Sequence, residues 1–423
     1  MTSTPALDGP RLARIAAEYG TPAWVYDAEH IRGQLAKLRG FDVIRFAQKA
    51  CSNTHILRLM RAEGALVDAV SLGELERALL AGYSVGCSAE ADGPAEPIVF
   101  TADLLDRATL ARVVELRVPV NAGSPQMLEQ VGAASPGHPV WLRINPGFGH
   151  GHSRKTNTGG EHSKHGIWHE HLAESLALVD RYGLDLVGLH MHIGSGVDYG
   201  HLETVCETMV KQVRLAGRDL RAISAGGGLS VPYAPGQPEV DTERYFRLWD
   251  AARQELVGEL GHPVRLEIEP GRFLVAGAGV LVSEVRAQKP VGSNHFVLVD
   301  AGFNDLMRPA MYGAGHRVSL FAPDGSPRTA PTVDTVLAGP LCESGDVFTQ
   351  LPGGEVESVP LPRAGIGDLA VFHDTGAYGA SMSSTYNSRP LIPEVLVEGD
   401  RTRLIRRRQS VAELLALETD LER

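Results

Sequence analysis

The stretch LVGLHMHIGSGVDYGHLETVCETMVKQVRLAGRDLRAISAGGG, residues 186–228, decides the fold. It contains an apolar run at Leu186–His192, a Gly-rich break, residues with helical spacing at His201–Ala216, and a second apolar run at Ala222–Ala225. A strand, a crossover helix and a second strand in this order are typical of a parallel βαβ unit. The stretch therefore predicts a parallel sheet covered by helices.

The same pattern repeats from about residue 43 to residue 272. Eight alternating strand and helix units predict an α/β fold built on a parallel (β/α)8 barrel, in which crossover helices cover the outside and strand side chains fill the inside. An open doubly wound sheet is the competing architecture. The predicted strands are Val43–Lys49, Ala65–Val70, Pro97–Thr101, Val118–Asn121, Val140–Asn145, Leu186–His192, Ala222–Ala225 and Arg265–Glu269. The predicted helices include His55–Glu63, Glu74–Ala81, Leu104–Glu115, His169–Tyr182, His201–Ala216 and Thr242–Leu260.

After residue 275 the helical spacing stops and strand-like runs dominate, which predicts a second, mostly antiparallel β domain. A lone strand at Ala23–Tyr26 is expected to pair with that C-terminal sheet. The predicted domains are an N-terminal segment (1–28), the barrel (29–275) and the C-terminal β domain (276–423). The predicted elements of the last are strands at Val280–Arg286, His295–Val299, Thr332–Leu337 and Asp368–Phe372, and a helix at Val411–Glu418.

Composition narrows the classes of function. The chain has 423 residues, with 40 Lys and Arg against 51 Asp and Glu, and its formal charge of −11 disfavours nucleic acid or an anionic membrane surface as a partner. The four cysteines are scattered without a C-x-x-C pair, and no segment is apolar enough for a signal peptide or a membrane span. We expect a cytoplasmic protein.

Two breaks are longer than a barrel turn requires. Ser84–Glu96 is small and acidic and predicts a solvated surface insertion, whereas Gly147–His165 is rich in Gly, His and Ser and follows a strand end. The second break could form a loop over an active site.

The carboxyl ends of the predicted strands, which face the active site in a barrel, carry a set of polar residues. One amine, one imidazole, a glycine triplet and an acid close to an arginine suit an anionic, ring-shaped cofactor. In chain order the residues are Lys49, Asp68, Asn121, Arg143, His192, Gly226 to Gly228, and Glu269 with Arg272.

Three of these positions have a specific chemical interpretation. Lys49 ends the run VIRFAQK, so we expect its ammonium near an apolar barrel mouth, where desolvation favours the neutral amine that imine formation requires. An ion-paired lysine is the alternative.

The triplet 226–228 lets backbone amides approach a phosphate, although such runs also form plain tight turns. Glu269 could keep a pyridine nitrogen protonated, or pair with Arg272 instead.

The motif GLHMHIGSG places His190 and His192 on one strand face, as in some metal-dependent hydrolases. A metal site needs ligands from other strand ends, and the further histidines between residues 150 and 171 show no metal-ligand spacing. We therefore expect no metal and assign His192 to a position flat against a cofactor ring.

Five motifs together resemble the fold-type III pyridoxal-phosphate (PLP) decarboxylases, the alanine racemase-like family. They are FAQKACSN (46–53), VSLGELERA (70–78), HMHIGSG (190–196), GGGLSVPY (226–233) and EPGRFLV (269–275). The C-terminal segments resemble the diaminopimelate decarboxylase branch: DAGFNDLMRPAMYG (300–313), GPLCESGDVF (339–348) and DTGAYGASMSSTYNSRP (374–390). The resemblance covers nearly the whole chain.

The resemblance implies PLP as the cofactor, a homodimer with shared active sites, and a role for each matching residue. Lys49 is the Schiff-base lysine, His192 stacks on the ring, and Glu269 meets the pyridine nitrogen. The further cofactor residues are Asp68, Ser195, Gly226, Gly227, Gly228, Gly271, Arg272 and Tyr378. The substrate residues are Arg272, Arg308, Tyr312, Glu343 and Tyr378, and Cys342 is the proton donor. Cys342 and Glu343 come from the partner subunit.

The implied reaction is decarboxylation of meso-2,6-diaminopimelate to L-lysine and CO2, the last step of lysine biosynthesis. The distal end of this substrate carries both an ammonium and a carboxylate, and Glu343 and Arg308 supply one charge of each sign. The alternatives are decarboxylation of another basic amino acid such as ornithine or arginine, a non-catalytic PLP-binding protein, and a metal-dependent hydrolase.

Overall fold

The computed structural model describes residues 7–86, 94–149, 159–192, 194, 196, 198–234, 236–329, 331–351 and 353–419. The chain forms two compact units. One comprises Gly33–Ser230 and Glu239–Leu274; the other comprises Met1–Arg32, Val231–Pro238 and Val275–Arg423. Within the described residues, no helix is both long and apolar enough to cross a membrane.

The secondary-structure elements alternate regularly up to residue 275 and are mostly strands thereafter. The helices are α1 Gly9–Tyr19, α2 Ala28–Ala36, α3 Thr54–Ala62, α4 Leu72–Leu80, α5 Arg107–Leu116, α6 Pro125–Ala134, α7 Leu172–Tyr182, α8 Tyr199–Ala216, α9 Thr242–Leu260, α10 Arg272–Val275, α11 Arg308–Tyr312 and α12 Val411–Leu415. The first ten strands are β1 Ala23–Asp27, β2 Val43–Ala47, β3 Leu66–Ala69, β4 Ile98–Ala102, β5 Val120–Ala122, β6 Pro139–Asn145, β7 Ile167–Trp168, β8 Asp185–His190, β9 Ala222–Ser224 and β10 Arg265–Ile268. The others are β11 Gly279–Val291, β12 Asn294–Val299, β13 Val318–Phe321, β14 Thr332–Ala338, β15 Val359–Pro362, β16 Leu369–Phe372, β17 Glu394–Glu398 and β18 Arg401–Arg406.

The first sheet is a closed parallel barrel. Its strands follow the order β5-β4-β3-β2-β10-β9-β8-β6, and a pairing between β5 and β6 closes it. Each neighbouring pair is parallel. The predicted (β/α)8 barrel is confirmed, and the open doubly wound alternative is wrong. All eight predicted strands are present, with ends that differ by a few residues.

Polar side chains cap the barrel helices at their first turns. Asn53, Ser71, Asp106 and Asp241 each accept a hydrogen bond from a backbone N–H two or three residues later. Such caps satisfy donors that the helix leaves unpaired and so fix where each helix begins. The six helices predicted from spacing are confirmed.

Helix α6 was not predicted, although its start follows known rules. Ser124 caps it and Pro125 occupies its first turn. Met127, Leu128 and Val131 form its buried face. This short apolar stripe is the signal that the sequence interpretation overlooked.

A buried ion pair lies in the interior of the barrel. Arg45 of β2 and Glu267 of β10 are each 1% exposed, and a guanidinium nitrogen of Arg45 lies 2.8 Å from Glu267 Oε2. Arg45 also donates to the carbonyl oxygen of Glu96 at 2.8 Å. Arg265 Nε also lies 3.5 Å from Glu267 Oε1, but Arg45 and Glu267 are each other's hydrogen-bonded counter-ions in a part of the barrel that water hardly reaches.

The second sheet combines the N-terminal strand with the C-terminal domain. Its main order is β15-β14-β12-β11-β1-β17-β18, and β16 joins β11 to β13. β1 pairs antiparallel with β11 and parallel with β17. Apart from β1–β17, the parallel pairing in this sheet is β12–β14, so the predicted mostly antiparallel domain is confirmed. Leu12 and Ile15 of α1 pack against this sheet.

Four strands of this sheet, β13, β15, β17 and β18, were not predicted. Strands β13 and β15 have four residues each, too short for a clear alternation. Strands β17 and β18 form a hairpin whose turn includes Gly399 with φ 56°. The apolar run VLV (395–397), followed after Glu398 by Gly-Asp, is typical of a hairpin and could have predicted these two strands. The predicted terminal helix is present but ends at Leu415.

Removing one partner of the buried pair should destabilise the barrel strongly. In Glu267→Ala, the buried Arg45 loses its hydrogen-bonded counter-ion, so we expect the thermal midpoint to fall by roughly 5–15 °C. The control is Glu76→Ala, because Glu76 pairs with Arg112 at the solvent-exposed surface. This substitution should shift the midpoint by less than about 3 °C. Equal midpoints for both variants, measured by circular dichroism, would contradict this role for the buried pair.

Candidate active site

The carboxyl ends of the barrel strands bring several of the predicted residues together. Lys49 follows β2 in a short 3-10 turn, Gln48–Ala50, and its side chain is exposed. Its ammonium interacts electrostatically with Asp68, Glu74 and His192. The expected apolar surroundings of Lys49 are therefore wrong, because the strand ends two residues earlier and acidic side chains lie nearby.

Three adjacent strands hold the carboxylate of Glu269. His190 at the end of β8 donates from Nε2 to Glu269 Oε2 at 2.8 Å, and the hydroxyl of Ser224 in β9 donates to Oε1 at 3.3 Å. Glu269 itself follows β10 and is 9% exposed. Burial alone would raise its pKa, but the charge and hydrogen bond of His190, with Arg45 further away, lower it to about 2. Glu269 is therefore an anion at neutral pH.

His192 is held in its neutral form. The backbone N–H of Gly227 donates to His192 Nδ1 at 2.9 Å, so Nδ1 carries no proton. Burial, followed by the charges of Arg143 and Lys49, lowers its pKa well below the usual value. A neutral, fixed imidazole is suited to stacking on an aromatic ring.

The glycine triplet forms a turn that no other residue fits. Gly226 and Gly228 have φ of 60° and 118°, in the region that favours glycine. A Cβ at Gly227 would lie 2.6 Å from the carbonyl oxygen of Glu269, and one at Gly271 would lie 3.0 Å from that of Ala47. The turn carries no side chains, which suits the close approach of a phosphate, while the N–H groups of Gly226 and Gly227 already donate to Ser224 Oγ and His192 Nδ1. The predicted cofactor residue Ser195 lies outside the described residues.

Asp68 is a buried acid with an unsatisfied oxygen. It is 3% exposed, and its Oδ1 has no hydrogen-bond partner within the described parts of the chain. Burial and the nearby Glu269 carboxylate raise its pKa well above the usual value. A polar atom of a ligand or a water can supply the partner that this oxygen lacks. Together with the glycine turn and the anionic Glu269, it fits a cofactor that has a phosphate and a basic ring nitrogen.

The second unit carries the other predicted site residues. Arg308 begins α11, is 6% exposed, and donates to His316 Nε2 at 3.0 Å. Tyr312 ends the same helix and is half-buried, as is Tyr378, whose φ is 57°. Arg272, in the barrel unit, begins α10 and is half-buried.

Cys342 and Glu343 are exposed on the second unit, and neighbouring residues fix both. The backbone N–H of Cys342 donates to Asn387 Oδ1 at 2.8 Å, and the hydroxyl of Tyr386 donates to Glu343 Oε2 at 3.3 Å. Cys342 is a free thiol. Sequence reasoning did not single out Tyr386 or Asn387, although both lie in the motif 374–390.

Sequence reasoning also missed Ser224, and it named His190 without a role. The pairing of His190 with Ser224 across β8 and β9 depends on strand register, which the sequence does not state. The loop 147–166, proposed as a cover, lies partly outside the described residues, as does the insertion 84–96.

Comparison with known proteins decides the family. A family model described as pyridoxal-dependent decarboxylase, pyridoxal binding domain, matches residues 29–276. Diaminopimelate decarboxylase from Streptomyces coelicolor is 80% identical over 98% of this chain and 93% of its own length. The chain belongs to the diaminopimelate decarboxylases, a branch of the pyridoxal-dependent decarboxylases. The resemblance inferred from the motifs is confirmed.

Further relatives agree with this membership. Diaminopimelate decarboxylase from Escherichia coli K12 is 65% identical over 97% of both chains. A crystal structure titled diaminopimelate decarboxylase is 64% identical, with a TM-score of 0.95, and covers 100% of this chain and 99% of that one. The Helicobacter pylori enzyme, solved in complex with L-lysine, is 28% identical with a TM-score of 0.85 and covers 96% of this chain and 99% of that one.

Filling the glycine turn should weaken binding of the cofactor. In Gly227→Ala the new Cβ meets the carbonyl oxygen of Glu269, so we expect PLP affinity to fall about tenfold or more. Gly258→Ala in α9 is the matched control, since a Cβ there meets nothing within 4 Å. Titration of each cofactor-free protein with PLP, followed by visible absorbance, measures both. Unchanged affinity in Gly227→Ala would contradict a phosphate site at this turn.

Proposed function

We propose that the chain decarboxylates meso-2,6-diaminopimelate to L-lysine and CO2, the last step of lysine biosynthesis. The observation that carries this proposal is the 80% identity with a diaminopimelate decarboxylase over nearly the whole chain. The anionic Glu269 and the glycine turn agree with it, because they suit PLP chemistry.

The barrel residues hold the cofactor and set its charge. Lys49 is the amine that holds the aldehyde carbon of PLP, and Gly226–Gly228 with Gly271 and Arg272 surround its phosphate. His192 stacks on the ring, while Asp68, Ser195 and Tyr378 make further contacts. When bound, PLP supplies the electron sink that accepts the electron pair left by loss of CO2. Glu269 keeps the ring nitrogen protonated, because its own pKa of about 2 leaves it anionic.

Residues of the second unit, with Arg272 of the barrel unit as a further candidate, recognise the substrate and move a proton. Arg308 or Arg272 binds the distal carboxylate through a forked pair of hydrogen bonds, and Glu343 binds the distal ammonium. Tyr312 and Tyr378 contact the same substrate. Cys342 donates the proton of its Sγ to the carbon that has lost CO2.

The same proposal includes a cytoplasmic homodimer in which Cys342 and Glu343 serve the active site of the partner. Both side chains are exposed in the single chain, and Tyr386 beside them is 43% exposed while stacking on Phe303. An exposed aromatic residue next to fixed polar groups is typical of an interface. Within the described parts of the chain, Cys51, Cys206 and Cys342 form no disulfide, in agreement with a reducing compartment.

Replacing Arg308 tests the recognition of the distal carboxylate. Arg308→Lys cannot form a forked pair, so we expect the KM for diaminopimelate to rise about tenfold with kcat changed much less. Arg286→Lys is the control, because Arg286 is exposed in β11. The assay measures lysine and CO2. An unchanged KM in Arg308→Lys would assign the distal carboxylate to Arg272 instead. If the unaltered protein decarboxylated ornithine but not diaminopimelate, the proposed substrate would be wrong.

Mixed dimers test whether sites are shared. Lys49→Ala and Cys342→Ala are each expected to be inactive, and after subunit exchange one of the two sites in each mixed dimer regains both residues. We therefore expect activity to return on mixing. If mass spectrometry confirms exchange and activity stays absent, each site is contained within one subunit.

A further inference from the structure

Arg308 contacts two neutral groups that fix its orientation. One is His316, whose Nε2 lies 3.0 Å from an Arg308 guanidinium nitrogen. The other is Tyr233, whose ring centroid lies 4.6 Å from Arg308 Cζ. The rings of Tyr233 and His316 meet edge to face, with centroids 5.6 Å apart. All three residues belong to the same compact unit.

The hydrogen bonds of His316 determine its protonation state. Its Nδ1 lies 2.9 Å from the carbonyl oxygen of His373, which only accepts, so Nδ1 must carry a proton. A guanidinium only donates, so Nε2 must be the acceptor and carry none. Both contacts are satisfied by the neutral imidazole with its proton on Nδ1.

A neutral acceptor orients the guanidinium of Arg308 without placing a negative charge beside it, which a carboxylate acceptor would do. His316 fixes the direction of one N–H of Arg308 but adds no negative charge, and the face of Tyr233 likewise holds the guanidinium plane without an opposing charge. An acid at position 316 would fix Arg308 equally well while offsetting its positive charge. A guanidinium carries five N–H donors in a planar fork, and a forked pair with a carboxylate uses two of them.

We propose that His316 and Tyr233 are positioning residues that orient Arg308 for the distal carboxylate of the substrate while preserving its positive charge. This inference rests on the proposed function, in which Arg308 or Arg272 binds that carboxylate, and it selects Arg308.

Three substitutions of His316 separate orientation from charge. His316→Gln keeps a neutral acceptor near the position of Nε2, His316→Leu removes the acceptor, and His316→Glu keeps an acceptor but adds a negative charge. The control is His295→Glu, which places the same charge at another half-buried histidine of the same compact unit. Circular dichroism and thermal midpoints establish that each variant is folded.

The test measures the binding of two ligands to the PLP-loaded protein by titration calorimetry. L-Lysine retains the distal carboxylate of the substrate, whereas 1,5-diaminopentane lacks it. We expect the Kd for L-lysine to rise about tenfold or more in His316→Leu and His316→Glu, and to stay within about threefold in His316→Gln and His295→Glu. The Kd for the diamine should stay within about threefold throughout, and kcat at saturating diaminopimelate should change little.

Tyr233 has its own matched pair. Tyr233→Phe keeps the ring face and should bind L-lysine normally, whereas Tyr233→Leu should bind it several-fold more weakly.

The outcomes are distinguishable from failure of the proposed function. His316→Leu with unchanged affinity for L-lysine, or with equal losses for both ligands, would overturn the positioning role. Full affinity of His316→Glu for L-lysine would overturn the charge argument. Failure of the unaltered protein to form lysine from diaminopimelate would instead contradict the proposed function.

Discussion

The hydrogen bond between His190 and Glu269 is the interaction on which the chemistry of the barrel depends. A carboxyl that is 9% exposed would ordinarily be neutral, and a neutral acid would not hold a proton on a basic ring nitrogen. His190 reverses this preference, and Ser224 supplies a second donor. The three residues come from consecutive strands, so parallel pairing through β9 is what brings them together.

Closure of the barrel also explains where the other proposed cofactor residues lie. The carboxyl ends of parallel strands meet at one end of the barrel, where Lys49, Asp68, His192 and the glycine turn lie. Burial and the Glu269 charge raise the pKa of Asp68, while burial and the charges of Arg143 and Lys49 lower that of His192. One end of the barrel therefore holds an anion, a neutral imidazole and a protonatable acid, in agreement with the proposed binding of a phosphorylated pyridine ring.

Much of this arrangement was predictable from the sequence, because the barrel strands are short apolar runs at regular intervals and several of them have a polar residue at or just after the carboxyl end. What was missed depends on neighbours in space. Arg45 and Glu267 interrupt predicted strands with charges, and only the closed barrel shows that each compensates the other. His316 stood outside every quoted motif, and its role is visible only from its contacts with Arg308 and His373. The hairpin β17–β18 left a sequence signal that was overlooked.

The central claim is that His190 keeps Glu269 anionic in the folded protein, and infrared difference spectroscopy tests it most directly. Spectra of the cofactor-free protein are compared with those of Glu269→Gln while the pH is lowered from neutral. The account predicts that Glu269 contributes a carboxylate band at neutral pH that persists to about pH 3, and that this band is lost at higher pH in His190→Phe. A protonated carboxyl band for Glu269 at neutral pH in the unaltered protein would contradict the account.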